Sequence, residues 1–205
     1  MNAKTFELLT NEFLSANLAN MSVMTDGGEI RESKGKMTVA IATNIIKYAC
    51  DVSGKDSSKL EISTDVVVIT ALEETEVDIV VRYDGEVIAM VESKSYADFT
   101  MFKRYAVEVL GLEDTYPKAK FSLFQLENAL GGDYDSDLAL ENLKGSTKVN
   151  KLLNMLGLKI DVLTMMNGKR QSQKAIHKEG CDKSISEAKL QRAVKYFVNI
   201  FSELS

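Results

Sequence analysis

The chain has 205 residues, 45% of them hydrophobic and 27% charged, with a formal net charge of −5. No run reaches the ~18 uncharged apolar residues of a membrane span. The cysteines, Cys50 and Cys181, are too few for a disulfide framework and stand at no zinc-like spacing. The opening MNAKTFELLTNEFL lacks the apolar stretch of a signal peptide. The expectation is a single cytoplasmic, reduced globular domain over 1–205, with ample length for a buried core. Thirty acidic residues against 25 basic ones mean that a polyanionic partner must meet a local basic patch, or that metal ions must neutralise part of the acidic surface.

Residues 4–20 are predicted as a helix, because Phe6, Leu9, Phe13 and Leu14 recur at helical spacing. A polar, glycine-containing stretch, TDGGEIRESKGK, follows and reads as a loop. Residues 37–52 form a second helical pattern, with Ile41, Ile45, Tyr48 and Val52 on one face. The pattern then changes to short β-branched runs at 64–72, 76–83 and 86–93, with Asp84-Gly85 as a hairpin signal between the last two. Their continuous apolar character predicts strands covered on both faces. Helix is expected from Ala97 to about Gly111, and again over 119–130 and 136–156 on either side of Gly131-Gly132. Residues 159–166 read as a fourth strand, and a last helix is expected over 184–201 with Ser184 as its N-cap. The fold class is therefore α/β: one domain with a central mixed sheet of about four to five strands flanked by helices.

The segment 76–95, EVDIVVRYDGEVIAMVESKS, holds the candidate chemistry. Asp78 opens one strand, and Glu92 and Lys94 end the next. Residues two apart share a strand face, so Glu92 and Lys94 emerge side by side. Carboxylates and a lysine at the end of a buried hairpin need partners. A divalent cation between Asp78 and Glu92 would supply one, because Mg²⁺ takes oxygen ligands and commonly binds one or two protein carboxylates plus substrate phosphate. Such an ion orients a phosphodiester and acidifies an attacking water, and Lys94 would oppose the developing negative charge. Register decides whether this works. A regular two-residue turn at Asp84-Gly85 sets Asp78 opposite Val91 and puts Asp78 and Glu92 on opposite faces. A three-residue turn, or an equivalent bulge, brings them together, and one of these is predicted.

Asp78, Glu92 and Lys94 make the segment resemble the PD-(D/E)XK nuclease superfamily, which includes type II restriction endonucleases. They match its metal-binding acid, second acid and lysine, while Val77 stands where the motif name has proline. Glu-x-Lys also occurs at Glu32–Lys34 and Glu187–Lys189, but in neither place with strand geometry. The resemblance covers about 37–166 in outline and implies a restriction-endonuclease-like core there, with the helices at 4–20 and 184–201 as elaborations. It implies an endonuclease that hydrolyses duplex DNA with Mg²⁺, or Mn²⁺ in its place, as a homodimer. It also implies an upstream helical glutamate, for which Glu12, Glu29 and Glu32 are all candidates. A structure-selective repair or junction nuclease is an alternative, as is a non-catalytic DNA-binding or assembly protein on the same fold.

The densest basic stretch, GKRQSQKAIHK, offers Lys169, Arg170, Lys174 and Lys178 for DNA phosphates. The same residues also fit an ordinary solvated loop. His177, the sole histidine, reads as a surface or phosphate-contacting residue at most. Lys103 and Arg104 are expected on the outer face of their helix, the alternative being a place beside a substrate channel. Gln125 and Glu127 are expected on the surface of theirs, the alternative being the further polar position that some nucleases carry on a helix behind the metal site.

Overall fold

The computed structural model describes residues 2–70, 73–168, 170, 176 and 184–204. Among them, five strands form one sheet in the order β1 (Leu60–Ile69), β2 (Glu74–Tyr83), β3 (Glu86–Ala97), β4 (Lys120–Asn128) and β5 (Ile160–Thr164). The first three strands are antiparallel, and β4 and β5 join them in parallel, so the sheet is mixed as expected. Helices α1 (Ala3–Ser22), α2 (Gly27–Val52) and α5 (Glu187–Ser202) cover one face. Helices α3 (Phe99–Thr115) and α4 (Thr147–Leu156) cover the other. Two apolar layers result. Ile79, Val81, Val91, Phe124 and Leu163 point toward α2 and α5, and Val80, Met90, Leu123 and Val162 point toward α3 and α4. Among the described residues no helix is long and apolar enough to cross a membrane. Cys50 is a buried free thiol.

The structure corrects the sequence reading in four places. The polar stretch after α1 is not a loop, because α2 begins at Gly27. Asp26 caps it, its carboxylate accepting from the amides of Gly28 (2.7 Å) and Glu29 (2.8 Å). Residues 119–130 contain not a helix but β4, in which every residue after Lys120 is buried. A strand enclosed by two parallel neighbours and covered on both faces needs no alternation, so its apolar run imitates a buried helix. Within 136–156 only Thr147–Leu156 is α-helical. The preceding loop is tied by Asp133, whose carboxylate accepts from the amides of Lys144 (2.9 Å) and Gly145 (2.7 Å). Finally, α5 starts at Glu187 with Ser186 at the N-cap. Ile185 is held beforehand in a bridge to Met166, and the Ser186 amide donates to the Met165 carbonyl, so Ser184 is too early to cap the helix.

Lys189 on α5 is fully buried and ties that helix to the end of β5. Its ammonium donates to the carbonyls of Met166 (2.7 Å) and Asp135. Lys189→Met should lower stability in urea titrations by ~1–3 kcal/mol, because both carbonyls lose a buried donor. An unchanged midpoint would show that water replaces the ammonium.

Candidate active site

The β2–β3 hairpin determines where the acids point. Its tip is a two-residue turn, with Tyr83 paired to Glu86, Asp84 at φ +53° and Gly85 at φ +83°. Positive φ at both central residues is the primed turn that suits the strand twist. The register then shifts: Arg82 pairs with Val87, but Val81 pairs with Ala89. Ile88 is the extra residue of a β-bulge, and it joins the same apolar layer as its neighbour Ala89, which a regular strand forbids. The predicted shift is therefore supplied by a bulge and not by a longer turn. From Val81 onward each pair moves by one place, down to Ile79 opposite Val91.

At that point the sheet forks. Pairing of β2 with β3 ends at Ile79 and Val91, whereas β2 stays paired to β1 as far as Glu74, and β3 to β4 as far as Ala97. Asp78 and Glu92 are the next residues on the two arms. The Asp78 carboxylate accepts from the Ser93 amide at 2.7 Å, a side-chain bond in place of the ladder bond lost there. Lys94 lies two residues beyond Glu92, and its ammonium contacts Asp78 Oδ2 and Glu92 Oε1, each at 2.8 Å. One cationic atom thus reaches both acids, so a single metal ion is compatible with the pair. The side chains are 20%, 14% and 32% exposed for Asp78, Glu92 and Lys94, sheltered but reachable. Among the described residues no cluster of three or more acids, histidines or cysteines could hold a metal. Two carboxylates suit an ion that keeps most of its waters, as Mg²⁺ does.

Burial raises the Glu92 carboxyl to about pH 7, helped by the charge of Asp78 and opposed by Lys94. Lys94 is shifted upward, the attraction of Glu92 and Asp78 outweighing the burial of its ammonium. A carboxyl whose folded pKa lies above its unfolded value adds stability that is complete below the unfolded value. That stability is lost as pH rises through about 7. Glu92→Gln should therefore be more stable than the natural protein at pH 8 in EDTA, by ~1–3 kcal/mol, and the gain should vanish near pH 4. Denaturant melts at the two pH values provide the check, and equal gains at both would contradict the buried-acid account.

The fork opens onto a cleft of about 970 Å³ lined by Asp78, Ser93 and Lys94 on the sheet side, by α2 from Arg31 to Lys47, and by Arg170. Of the helical acids, Glu32 lines this cleft and is ion-paired to Lys36, whereas Glu12 and Glu29 are not among its lining residues. Arg170 is at the cleft, its guanidinium 3.4 Å from the ring centre of Tyr96. Lys169, Lys174, His177 and Lys178 lie outside the described residues. Arg104 pairs with Glu108 on α3, and neither it nor Lys103 lines the cleft.

Gln125 and Glu127 are not surface residues of a helix but buried positions of β4, beside Lys94 and Tyr96 of β3. The Gln125 amide nitrogen donates to Thr164 Oγ1, and its oxygen accepts from the Ala97 amide, which fixes β3 beyond the fork. Sequence reasoning also missed the cationic face of α2 and the left-handed Asp65 (φ +53°). Asp65 lies across the β1–β2 ladder from Asp78 and lines the cleft. A non-glycine residue in that conformation inside a strand is unusual, but the sequence carries no signal for it.

The chain is 25% identical over 205 residues to the type II restriction enzyme DdeI of Desulfomicrobium norvegicum, an alignment covering 87% of this chain and 84% of that protein. No family model matches the sequence, and no solved structure matches the fold. Similarity at this level to a restriction enzyme, over most of both chains, supports a restriction-endonuclease-like relationship for this five-stranded mixed α/β domain.

Proposed function

We propose that the protein is a metal-dependent DNA endonuclease of the restriction type, with Asp78, Glu92 and Lys94 as its catalytic residues. The observation that carries this reading is the convergence of the three side chains at the fork, beside an open cleft, in a chain similar to a type II restriction enzyme. Asp78 and Glu92 would hold Mg²⁺, or Mn²⁺ in its place. When bound, the ion supplies charge stabilisation at the phosphate and an acidified water. Asp78 is aimed by the Ser93 amide. Glu92 gives up its proton near neutrality and so offers a full carboxylate above about pH 7. Lys94 places a positive charge against both acids at the edge of the cleft. There its N–H groups can donate to a non-bridging phosphate oxygen as negative charge grows on it, or hold the attacking water. Arg170, with Lys169, Lys174 and Lys178, is proposed to contact the duplex backbone, and a homodimer would present one such site to each strand.

The direct test is incubation of the purified protein with plasmid and linear duplex DNA in Mg²⁺ and in EDTA. Discrete fragments that require the metal are expected. Preference for branched over linear substrates would redirect the reading to a junction or repair nuclease, and no cleavage under any divalent ion would refute it. Sedimentation velocity should give a species of twice the chain mass.

A further inference from the structure

The wall of the cleft across from Asp78 is rich in cations. Arg31, Lys34, Lys36 and Lys47 of α2 line it, with Arg170 from beyond β5. Arg31 and Lys34 are three residues apart on a helix and so share a ridge. Lys36 is engaged by Glu32, but Lys34 sits among like charges. Its ammonium is pushed below its usual range by burial first, then by Arg170. Glu127 pulls the other way, and Arg31 adds to the repulsion. Positive charge is gathered here beyond what that carboxylate balances.

A further observation points to a ligand. Gly35 lies within the same stretch of α2 and lines the cleft, and no atom stands within 4 Å of where its side chain would be. Glycine inside a helix is less favourable than alanine, and here it leaves the helix backbone open to the cleft.

We infer that Arg31, Lys34 and Arg170 form an anion subsite around the bare backbone of Gly35, which takes a nucleic-acid backbone phosphate other than the one cleaved. The inference rests on the nuclease reading for the identity of the strand but not for the existence of the subsite. The subsite gives an acidic protein a local surface for a polyanion, and it does so through α2 and not through the basic loop alone.

The test is binding of a fluorescein-labelled DNA duplex in EDTA, followed by anisotropy across a salt series. Lys34→Gln and Arg170→Gln should each weaken binding about five- to tenfold and flatten the log–log salt slope by about one. Gly35→Leu, which keeps every charge, should weaken binding comparably by filling the open space. Lys118→Gln removes an 85% exposed cation outside the cleft and should change little. Lys34→Arg keeps the charge and should bind nearly as the natural protein does, which guards against a misfolded glutamine variant. Natural affinity and slope in folded Lys34→Gln and Gly35→Leu would overturn the subsite, as would an equal loss in Lys118→Gln. Plasmid cleavage by the unaltered protein, measured in parallel, separates the two ideas. Cleavage with unaffected binding variants removes only the subsite, whereas weakened variants of a protein that never cuts remove only the nuclease reading.

Discussion

Alanine at Asp78 or Glu92 is expected to abolish DNA cleavage, by about a thousand-fold or more in single-turnover rate, and to remove divalent-cation binding with it. Each carboxylate sits at the root of the fork and meets the same Lys94 ammonium at 2.8 Å, so neither has a substitute at that point. The fold should survive, because both side chains lie at the fork, beyond the last β2–β3 pair, and Val80, Met90 and their neighbours keep the layers packed. Isothermal titration with Mn²⁺, beside the cleavage assay and a thermal melt, separates the three readouts. A fully active Glu92→Ala would end the assignment.

Lys94→Ala should behave differently. Cleavage is again expected to fall by about a hundred-fold or more, but cation binding should persist or tighten. The lysine ammonium occupies the space between the two acids, and a metal ion must compete with it for the same oxygens. Removing it leaves two neighbouring carboxylates with no cation, an arrangement that is costly until a metal arrives. Divalent ions should therefore raise the melting temperature of Lys94→Ala by more than that of the natural protein. Loss of metal binding together with cleavage would mean that Lys94 organises the acids and takes no direct part in the reaction.

Much of the geometry of this candidate site was legible in the sequence because it depends on short-range spacing. The β-branched runs, the Asp84-Gly85 turn and the i, i+2 spacing of Glu92 and Lys94 together required a register shift, and Ile88 provides one. Which of a longer turn or a bulge would do so was not legible, because nothing in GEVIAM distinguishes an extra residue from a regular one. Strand β4 was read as helix because burial on both sides erases the period that separates the two structures. The same error hid Gln125 and Glu127. The first turns of α2 were missed for the opposite reason. Their polar residues face the cleft and solvent, and only the Asp26 cap signals a helix there. The cationic wall was lost with them, since Arg31 and Lys34 acquire a common direction only once the segment is helical.

The position of the bulge has a practical consequence. Ile88 lies between the hairpin tip and the acids, and the pairing beyond it is locked by buried side chains from Val81–Ala89 to Ile79–Val91. The tip itself is exposed and is joined to the rest of the molecule through Lys59 and Asp84 on the surface. Extra chain spliced between Asp84 and Gly85 would lengthen a solvent loop and leave every residue past the bulge in place. The hairpin end thus serves as a handle, where a dye or affinity tag can be grafted without disturbing Asp78, Glu92 and Lys94.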